Sequence, residues 1–192
     1  MRQVVDVHVA AFPGFFLTSL GRPFLMVMYR AFLSNPASVF VVDETEGSVL
    51  GFAVGSLQTA GGDRSLAIRF LPRFVLALIP GVLRHPLIVT KKIVSQLFTS
   101  RGQPDAPEHS AVLRSIGVSP DKRGGGLANE LLREFETHAR AKGALFVALT
   151  TDKADNERAI RFYTKNGYGV HAEFSQDGSR AMLLMKKDIR VA

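Results

Sequence analysis

LRSIGVSPDKRGGGLANELLREFE, residues 113–136, joins a predicted strand to a predicted helix through a glycine-rich turn. Residues 111–118 are rich in Val, Leu and Ile and end at a Ser-Pro turn signal, which is typical of a strand. From Leu127 to Ala139 apolar residues recur every three to four positions, the spacing of a half-buried helix. Glycines at 124–126 leave the backbone N–H groups at the start of that helix open to an anion, and Lys122 and Arg123 add positive charge. The stretch therefore predicts a diphosphate-binding turn.

This turn does not match the two commonest phosphate-binding motifs. No GxxxxGK[ST] string occurs, which excludes a P-loop, and Asn129 stands where a GxGxxG dinucleotide motif needs its last glycine. Residues 123–128, RGGGLA, resemble instead the coenzyme A loop [QR]xxGx[GA] of the GCN5-related N-acetyltransferase (GNAT) family. The loop alone leaves a second interpretation open, in which the glycines are only a flexible turn before a helix.

A second block strengthens the resemblance. Residues 145–150 form another strand-like run, and residues 156–168, NERAIRFYTKNGY, predict a short helix with Asp155 or Asn156 as its N-cap. This block is similar to the second signature of the same family, NxxAxxxYxxxGF. The matching positions are Asn156, Ala159, Tyr163, Gly167 and, in place of phenylalanine, Tyr168. The resemblance is close over residues 108–187 and loose over the N-terminal half.

The resemblance implies an α/β fold in one domain, residues 1–192. Its mixed, mostly antiparallel sheet of about six strands would carry helices on both faces and be splayed at the acyl-CoA site. Residues 4–11 and 23–33 read as helices, 39–42 and 49–57 as paired strands, and 169–175 with 181–187 as a hairpin. The family normally begins with a strand, whereas this helical pattern starts almost at Met1. We therefore expect the first strand to be missing or to lie upstream.

The resemblance also implies the cofactor, acetyl-CoA, and the residues that would bind it. Backbone groups of Ile116, Gly117 and Val118 would pair with the pantetheine arm. The diphosphate would lie against Arg123, Gly124, Gly125, Gly126, Leu127, Ala128 and Asn129. Asn156 would contact the cofactor, unless it only caps the helix. Tyr163 would protonate the departing thiolate, unless it is only a packed aromatic; a phenol is protonated at neutral pH and can donate to a thiolate.

The acceptor side is less specified. By resemblance, Phe12, Phe15 and Phe16 would form one wall of the acceptor pocket, although three phenylalanines equally suit a core. The expected reaction is direct attack by a primary amine in a ternary complex, on a small molecule, an amino sugar or a protein amino terminus. The general base stays open among the following four residues: Glu108, His109, Ser115 and Glu173. A non-catalytic acyl-CoA-binding or membrane-associated module with the same fold is the rival hypothesis.

Composition narrows the function classes. The 192-residue chain is 46% hydrophobic, which is enough for one sizeable core. It contains no cysteine, which excludes disulfides, thiolate metal sites and a cysteinyl acyl-enzyme, and it fits a reducing cytoplasm, where we expect the protein. Met1 to Ala11 lacks the pattern of a signal peptide, and the five histidines lack metal-ligand spacing, so we predict no metal.

The positive charge is concentrated in one segment. Residues 64–101 carry seven basic residues and no acid, which equals the net charge of +7, and they read as a helical insertion of two apolar stretches, 66–79 and 87–98. Neither stretch reaches the roughly eighteen to twenty apolar residues that a bilayer span needs. The segment could pack on the sheet or on a second subunit in a homodimer, or contact an anionic membrane surface peripherally. No nucleic-acid-binding motif accompanies it, so we expect no nucleic-acid partner.

Overall fold

The computed structural model describes residues 1–58, 104–176 and 180–190. Labels number the described elements in chain order. The helices are α1 (Arg2–Ala11), α2 (Phe16–Ser19), α3 (Arg22–Leu33), α4 (Leu127–Ala141) and α5 (Glu157–Lys165), with a 3-10 turn at Pro120–Lys122. The strands are β1 (Ser38–Thr45), β2 (Ser48–Leu57), β3 (Ser110–Val118), β4 (Phe146–Asp152), β5 (Gly169–Gln176) and β6 (Arg180–Asp188). The helical insertion predicted at 64–100 lies outside the described residues.

The six strands form one mixed sheet in the order β1-β2-β3-β4-β6-β5. Every neighbouring pair is antiparallel except β3 and β4, which run parallel. The predicted α/β fold with a mostly antiparallel sheet is therefore confirmed. The first described element is helix α1, as the pattern near Met1 predicted.

The pairing of strands β3 and β4 is short. They pair only from Ser110 to Val112, opposite Phe146 to Ala148, whereas β3 continues to Val118. On its other edge β3 stays paired with β2 to its end, with one irregularity that skips Arg114. Among residues 1–58, 104–176 and 180–190, no strand pairs with this edge of β3 beyond Val112, and this gap is the splay that the resemblance implied.

Helices cover both faces of the sheet, each over its own apolar cluster. On one face α4 buries Leu131, Leu132 and Phe135 completely or nearly so. A Cβ added to Gly55 of β2 would lie 2.1 Å from the Val112 carbonyl oxygen and 2.8 Å from the Phe135 ring, so only glycine allows this close packing. The packing fixes α4 on the sheet and brings its N-terminus to the opening beside β3.

The opposite face is covered by α1 and α3. Its buried cluster joins valines of α1 to Leu25 and Tyr29 of α3 and to Phe52 and Val54 of β2. Within residues 1–58, 104–176 and 180–190, no helix combines the length and the apolarity that a membrane crossing requires.

Candidate active site

A cleft of about 720 Å³ occupies the opening between β3 and β4. Nearly all residues that the sequence predicted for the site line it, although they come from separate parts of the chain. They are Ile116, Gly117, Val118, Arg123, Gly124, Gly126, Leu127, Ala128, Asn129, Asn156 and Tyr163. Of the residues predicted to bind the cofactor or to act as the general acid, Gly125 alone does not line the cleft. The structure thus brings the two motifs together around a single cavity.

The glycine turn presents its backbone to this cleft. Gly126 is the N-cap of α4 in the left-handed conformation, with φ of 87°, and Gly124 has φ of 85°. No atom of the described residues lies within 4 Å of a Cβ added at either glycine, so these residues leave the space beside the turn open. Because the first N–H groups of a helix lack intrahelical partners, the turn and the α4 N-terminus fit a diphosphate.

Positive side chains surround the cleft. Lys122, Arg123, Arg158 and Arg180 line it, and Asp152 is the single carboxylate among the described lining residues. Asp152 already accepts hydrogen bonds from Arg180, one of them 2.5 Å from Nη2 to Oδ2. The remaining charge is positive and favours an anionic ligand.

Arg123 connects the glycine turn to the N-terminal part of the chain. Its Nη2 donates to the carbonyl oxygen of Ala11, the last residue of α1, at 3.2 Å. Carbonyl groups at a helix C-terminus carry partial negative charge, which suits a guanidinium. Ala11 and the following Phe12 also line the cleft, so this contact joins its two walls.

Tyr163 on α5 places a partly buried phenol at the cleft. Its ring packs edge-on against Phe162 and Tyr168, with centroids 5.1 Å and 5.7 Å away. Burial raises the pKa of Tyr163 to about 12, so the hydroxyl stays protonated at neutral pH. No described residue hydrogen-bonds to this hydroxyl, which leaves it available to a ligand.

Asn156 occupies the N-cap position of α5 but does not cap it with its side chain. Its Nδ2 donates to Thr151 Oγ1 at 2.6 Å and to the Asp152 carbonyl oxygen at 3.1 Å, which ties the start of α5 to the end of β4. At the other end of α5, Asn166 Nδ2 donates to Asn129 Oδ1 on α4 at 2.9 Å. Side-chain amides thus link α5 to β4 at its start and to α4 at its end.

The tyrosine that departs from the family signature has a buried partner. Tyr168 donates its hydroxyl to Glu136 Oε1 at 3.0 Å, and Lys187 Nζ donates to Glu136 Oε2 at 2.7 Å. Burial and the Glu136 charge both raise the pKa of Tyr168 far above its usual range. Phenylalanine at 168 would leave the Glu136 carboxylate, which is 5% exposed, with one partner fewer. Tyr168, Glu136 and Lys187 thus join β6 and the start of β5 to α4.

Of the residues expected on the acceptor side, some line the cleft and others do not. Phe12 and Phe15 line the cleft with their rings in edge contact, whereas Phe16 begins α2 and does not line it. None of the four base candidates, Glu108, His109, Ser115 and Glu173, lines the cleft. Glu173 is paired with Lys153 at 2.5 Å.

Sequence reasoning missed several lining residues. Thr150, Thr151 and Asp152 lie at the end of β4, and Arg158 lies one residue after the start of α5. Their signal was available, because side chains at the end of a strand that borders a sheet opening point to a ligand site. Arg180 and Met182 enter from β6, and no local pattern indicates this contribution.

Comparison with known protein families finds a family profile that matches most of this chain. The sequence profile described as the acetyltransferase (GNAT) family matches residues 1–168. A comparison with curated proteins finds no significant match.

Solved structures share the fold at low sequence identity. Aminoglycoside 6'-N-acetyltransferase in complex with coenzyme A has a TM-score of 0.64 and 12% identity, covering 99% of this chain and 91% of its own. The ribosomal-protein-S18-alanine N-acetyltransferase from Escherichia coli has a TM-score of 0.55 and 15% identity, covering 99% and 89%. Ard1 from Thermoplasma volcanium has a TM-score of 0.58 and 18% identity, covering 100% and 95%.

Proposed function

Since this chain belongs to the GNAT family of acetyltransferases and is an acetyl-CoA-dependent N-acetyltransferase, we propose that it acetylates a primary amine by direct attack in a ternary complex. The observation that carries the proposal is the open edge of β3 beside the glycine turn. Within the described part of the chain, no strand pairs with β3 on its β4 side beyond Val112, and Ile116 to Val118 line the cleft there. An extended pantetheine arm can pair with such an edge as an added strand does.

The proposed diphosphate site lies next to the open edge of β3. The arm would lead from β3 to the α4 N-terminus, where the backbone of residues 124–129 and the Arg123 side chain would hold the phosphates. Arg123 would have to exchange the Ala11 carbonyl for a phosphate oxygen, a stronger acceptor for a guanidinium. Asn156, held by Thr151 and Asp152, would contact the cofactor from the other wall.

The residues of the chain would then supply position and charge stabilisation. Bound acetyl-CoA supplies an acyl group that is already activated as a thioester, so no enzyme nucleophile is needed. The β3 backbone N–H groups would polarise the thioester carbonyl and stabilise the oxyanion as it forms. Tyr163 would donate its proton to the leaving sulfur, because its raised pKa keeps the hydroxyl protonated and no described residue occupies it.

A small-molecule or peptide amine is the acceptor class that we propose. Structural neighbours with this fold include enzymes named for an aminoglycoside amine and for a protein alanine. The apolar wall of Phe12 and Phe15 is the part of the described cleft suited to the body of the acceptor.

The decisive assay measures free thiol released from acetyl-CoA in the presence of a panel of amines. The panel should contain simple primary amines, amino sugars and peptides with free amino termini. Calorimetry with acetyl-CoA, run on the same preparation, tests binding separately. Tight binding with no amine-dependent thiol release from any panel member would contradict the proposed acceptor class, whereas absence of binding would contradict the cofactor site itself.

A pair of glycine variants tests the cofactor site with a matched control. Gly126 and Gly143 flank the two ends of α4, both have positive φ, and an added Cβ meets no atom within 4 Å at either. Valine should therefore strain the backbone similarly at both positions, at roughly 1–3 kcal/mol. Only Gly126→Val should also weaken acetyl-CoA binding, by tenfold or more, because only Gly126 lines the cleft. Equal acetyl-CoA affinity in the two folded variants would refute the assigned diphosphate site.

A further inference from the structure

Two asparagine side chains connect the first turn of α4 to the end of α5. Asn129 is the third residue of α4 and lines the cleft, whereas Asn166 is the C-cap of α5 and does not line it. Asn166 Nδ2 lies 2.9 Å from Asn129 Oδ1 and 2.9 Å from the Phe162 carbonyl oxygen. A residue outside the cleft therefore contacts a side chain at the predicted diphosphate site.

The chemistry of these groups determines which way each amide is turned. A backbone carbonyl oxygen only accepts hydrogen bonds, so the Asn166 atom beside the Phe162 carbonyl must belong to the NH2 group. The same nitrogen lies beside the Asn129 side chain, and its second hydrogen needs an acceptor there. Asn129 therefore turns its carbonyl oxygen towards Asn166 and its own NH2 group away from it.

The side chain, and not the backbone, is the donor that Asn129 can offer to a ligand. Its backbone N–H already donates to the Gly126 carbonyl oxygen at 2.8 Å. Asn129 is exposed, and within the described part of the chain its Nδ2 atom has no hydrogen-bond partner. An NH2 group in the first turn of α4, beside the glycine turn, adds directed donors where the helix dipole already favours an anion.

We propose that Asn129 donates its side-chain NH2 group to the diphosphate of acetyl-CoA, and that Asn166 is a positioning residue that holds this amide in its donating orientation. The inference rests on the proposed function, since it concerns the proposed diphosphate site. A half-turn of the Asn129 amide would present Oδ1, an acceptor, to the phosphate oxygens. The hydrogen bond from Asn166 opposes that half-turn without any contact between Asn166 and the cofactor.

Asn166→Asp is the central test, because it replaces a donor with an acceptor at nearly constant size. A carboxylate cannot donate to Asn129 Oδ1, so the Asn129 amide should turn and donate its NH2 group to Asp at position 166. The cofactor would then face Oδ1. We expect acetyl-CoA affinity, measured by calorimetry, to fall about tenfold, in the range of one lost hydrogen bond to a charged group. Asn166→Ala, which frees the amide without reversing it, should lose less affinity.

Two further variants separate the amide orientation from the added charge. Asn35→Asp makes the same change one residue after the C-cap of α3, outside the cleft, and keeps the bond that Oδ1 accepts from the Ala37 N–H. It should bind acetyl-CoA like wild type. Asn129→Ala removes the proposed donor and should lose affinity about as much as Asn166→Asp. Combining the two should cause no further loss, whereas charge repulsion would lower affinity in both backgrounds.

Nuclear magnetic resonance gives a readout that a purely structural role would not change. The side-chain NH2 signals of Asn129 should shift when coenzyme A is added to wild type, and should shift much less in Asn166→Asp. Urea unfolding confirms that each variant is folded.

Wild-type acetyl-CoA affinity in folded Asn166→Asp, or the same loss with and without the Asn129 side chain, would overturn the inference and leave the cofactor site standing. Calorimetry needs no acceptor, so the result does not depend on the identity of the amine. If the wild-type protein bound no acetyl-CoA, the proposed function would fail first and this inference with it.

Discussion

Replacing Tyr163 with phenylalanine removes one hydroxyl from the cleft and leaves the ring in place. The ring packs against Phe162, Tyr168 and the larger apolar cluster, and phenylalanine keeps those contacts. Because no described residue hydrogen-bonds to the hydroxyl, its loss should change the free energy of unfolding by less than about 1 kcal/mol. The effect on catalysis should be much larger, since a positioned general acid contributes on the order of 10²-fold or more.

Tyr168→Phe, the same substitution at the neighbouring tyrosine, should instead lower stability and leave catalysis almost unchanged. Tyr168 donates to the buried Glu136 carboxylate at 3.0 Å and does not line the cleft. A hydrogen bond to a charged group is worth about 1.5–3 kcal/mol, so Tyr168→Phe should lower the free energy of unfolding by that amount. Its kcat should stay close to the wild-type value at a temperature where the variant is folded.

Two measurements on the two variants separate these effects. Single-turnover thiol release at saturating acetyl-CoA and amine reports the chemical step, and urea unfolding reports stability. For Tyr163→Phe we expect a rate loss of about 10²-fold, equivalent to about 2.7 kcal/mol in the barrier, with an almost unchanged urea midpoint. A Tyr163→Phe protein that releases thiol as fast as wild type would refute the general-acid assignment and leave Tyr163 as a packed aromatic.

Three further predictions follow from charges and burial. Because burial raises the pKa of all three tyrosines, their contribution to the free energy of unfolding should be constant below about pH 10, where unfolded tyrosine titrates, and should be lost as the pH rises towards 12. Phenolate absorbance at pH 10 in folded protein would contradict this. Lys187→Met should lower the free energy of unfolding by roughly 2–3 kcal/mol, because it leaves the Glu136 carboxylate without its cation. The loss should be smaller than for a fully buried pair, since the Lys187 side chain is 27% exposed. Adding Glu136→Gln should restore part of this free energy, as measured by urea unfolding. If the basic residues at 64–101 contact membranes, co-sedimentation should favour anionic over neutral vesicles and weaken with salt, whereas equal recovery would favour packing on the sheet or on a second subunit.

The elements that the sequence predicted well are those with local signals. Helix α4 lies between the predicted glycine turn and Gly143, whose φ of 89° ends it as a left-handed residue commonly does. The hairpin of β1 and β2 turns at Glu46 and Gly47, both with positive φ, where the polar break in the apolar pattern indicated. The two motifs also placed the loop and α5 on one site, because each carries its own residue pattern.

The remainder depends on contacts between distant residues. Strand β6 lies between β4 and β5, and this order alone brings Arg180 and Met182 to the cleft. The pairing of His8 with Tyr29 joins two helices whose apolar spacing predicts burial but not which polar groups meet. In the sequence, Glu136 likewise reads as a solvent-facing helix residue. In the structure it is buried and accepts hydrogen bonds from Tyr168 and Lys187. Local periodicity carries no information about such partners.

The three-residue pairing of β3 with β4 also has a mechanical consequence. The sheet consists of two halves, β1-β2-β3 and β4-β6-β5. Among the described residues, the pairing of β3 with β4 joins them from Ser110 to Val112, and the Leu145 N–H donates to the His109 carbonyl oxygen just before it. A pantetheine arm lying along β3 would connect the two halves of the sheet where the β3–β4 pairing ends. Acetyl-CoA would therefore stabilise the fold as well as supply the acetyl group. By linkage, acetyl-CoA at 100 times its Kd should add about 2.7 kcal/mol to the free energy of unfolding. Hydrogen exchange should slow first at the β3 amides beyond Val112, so that each turnover would close the sheet and release of coenzyme A would open it again.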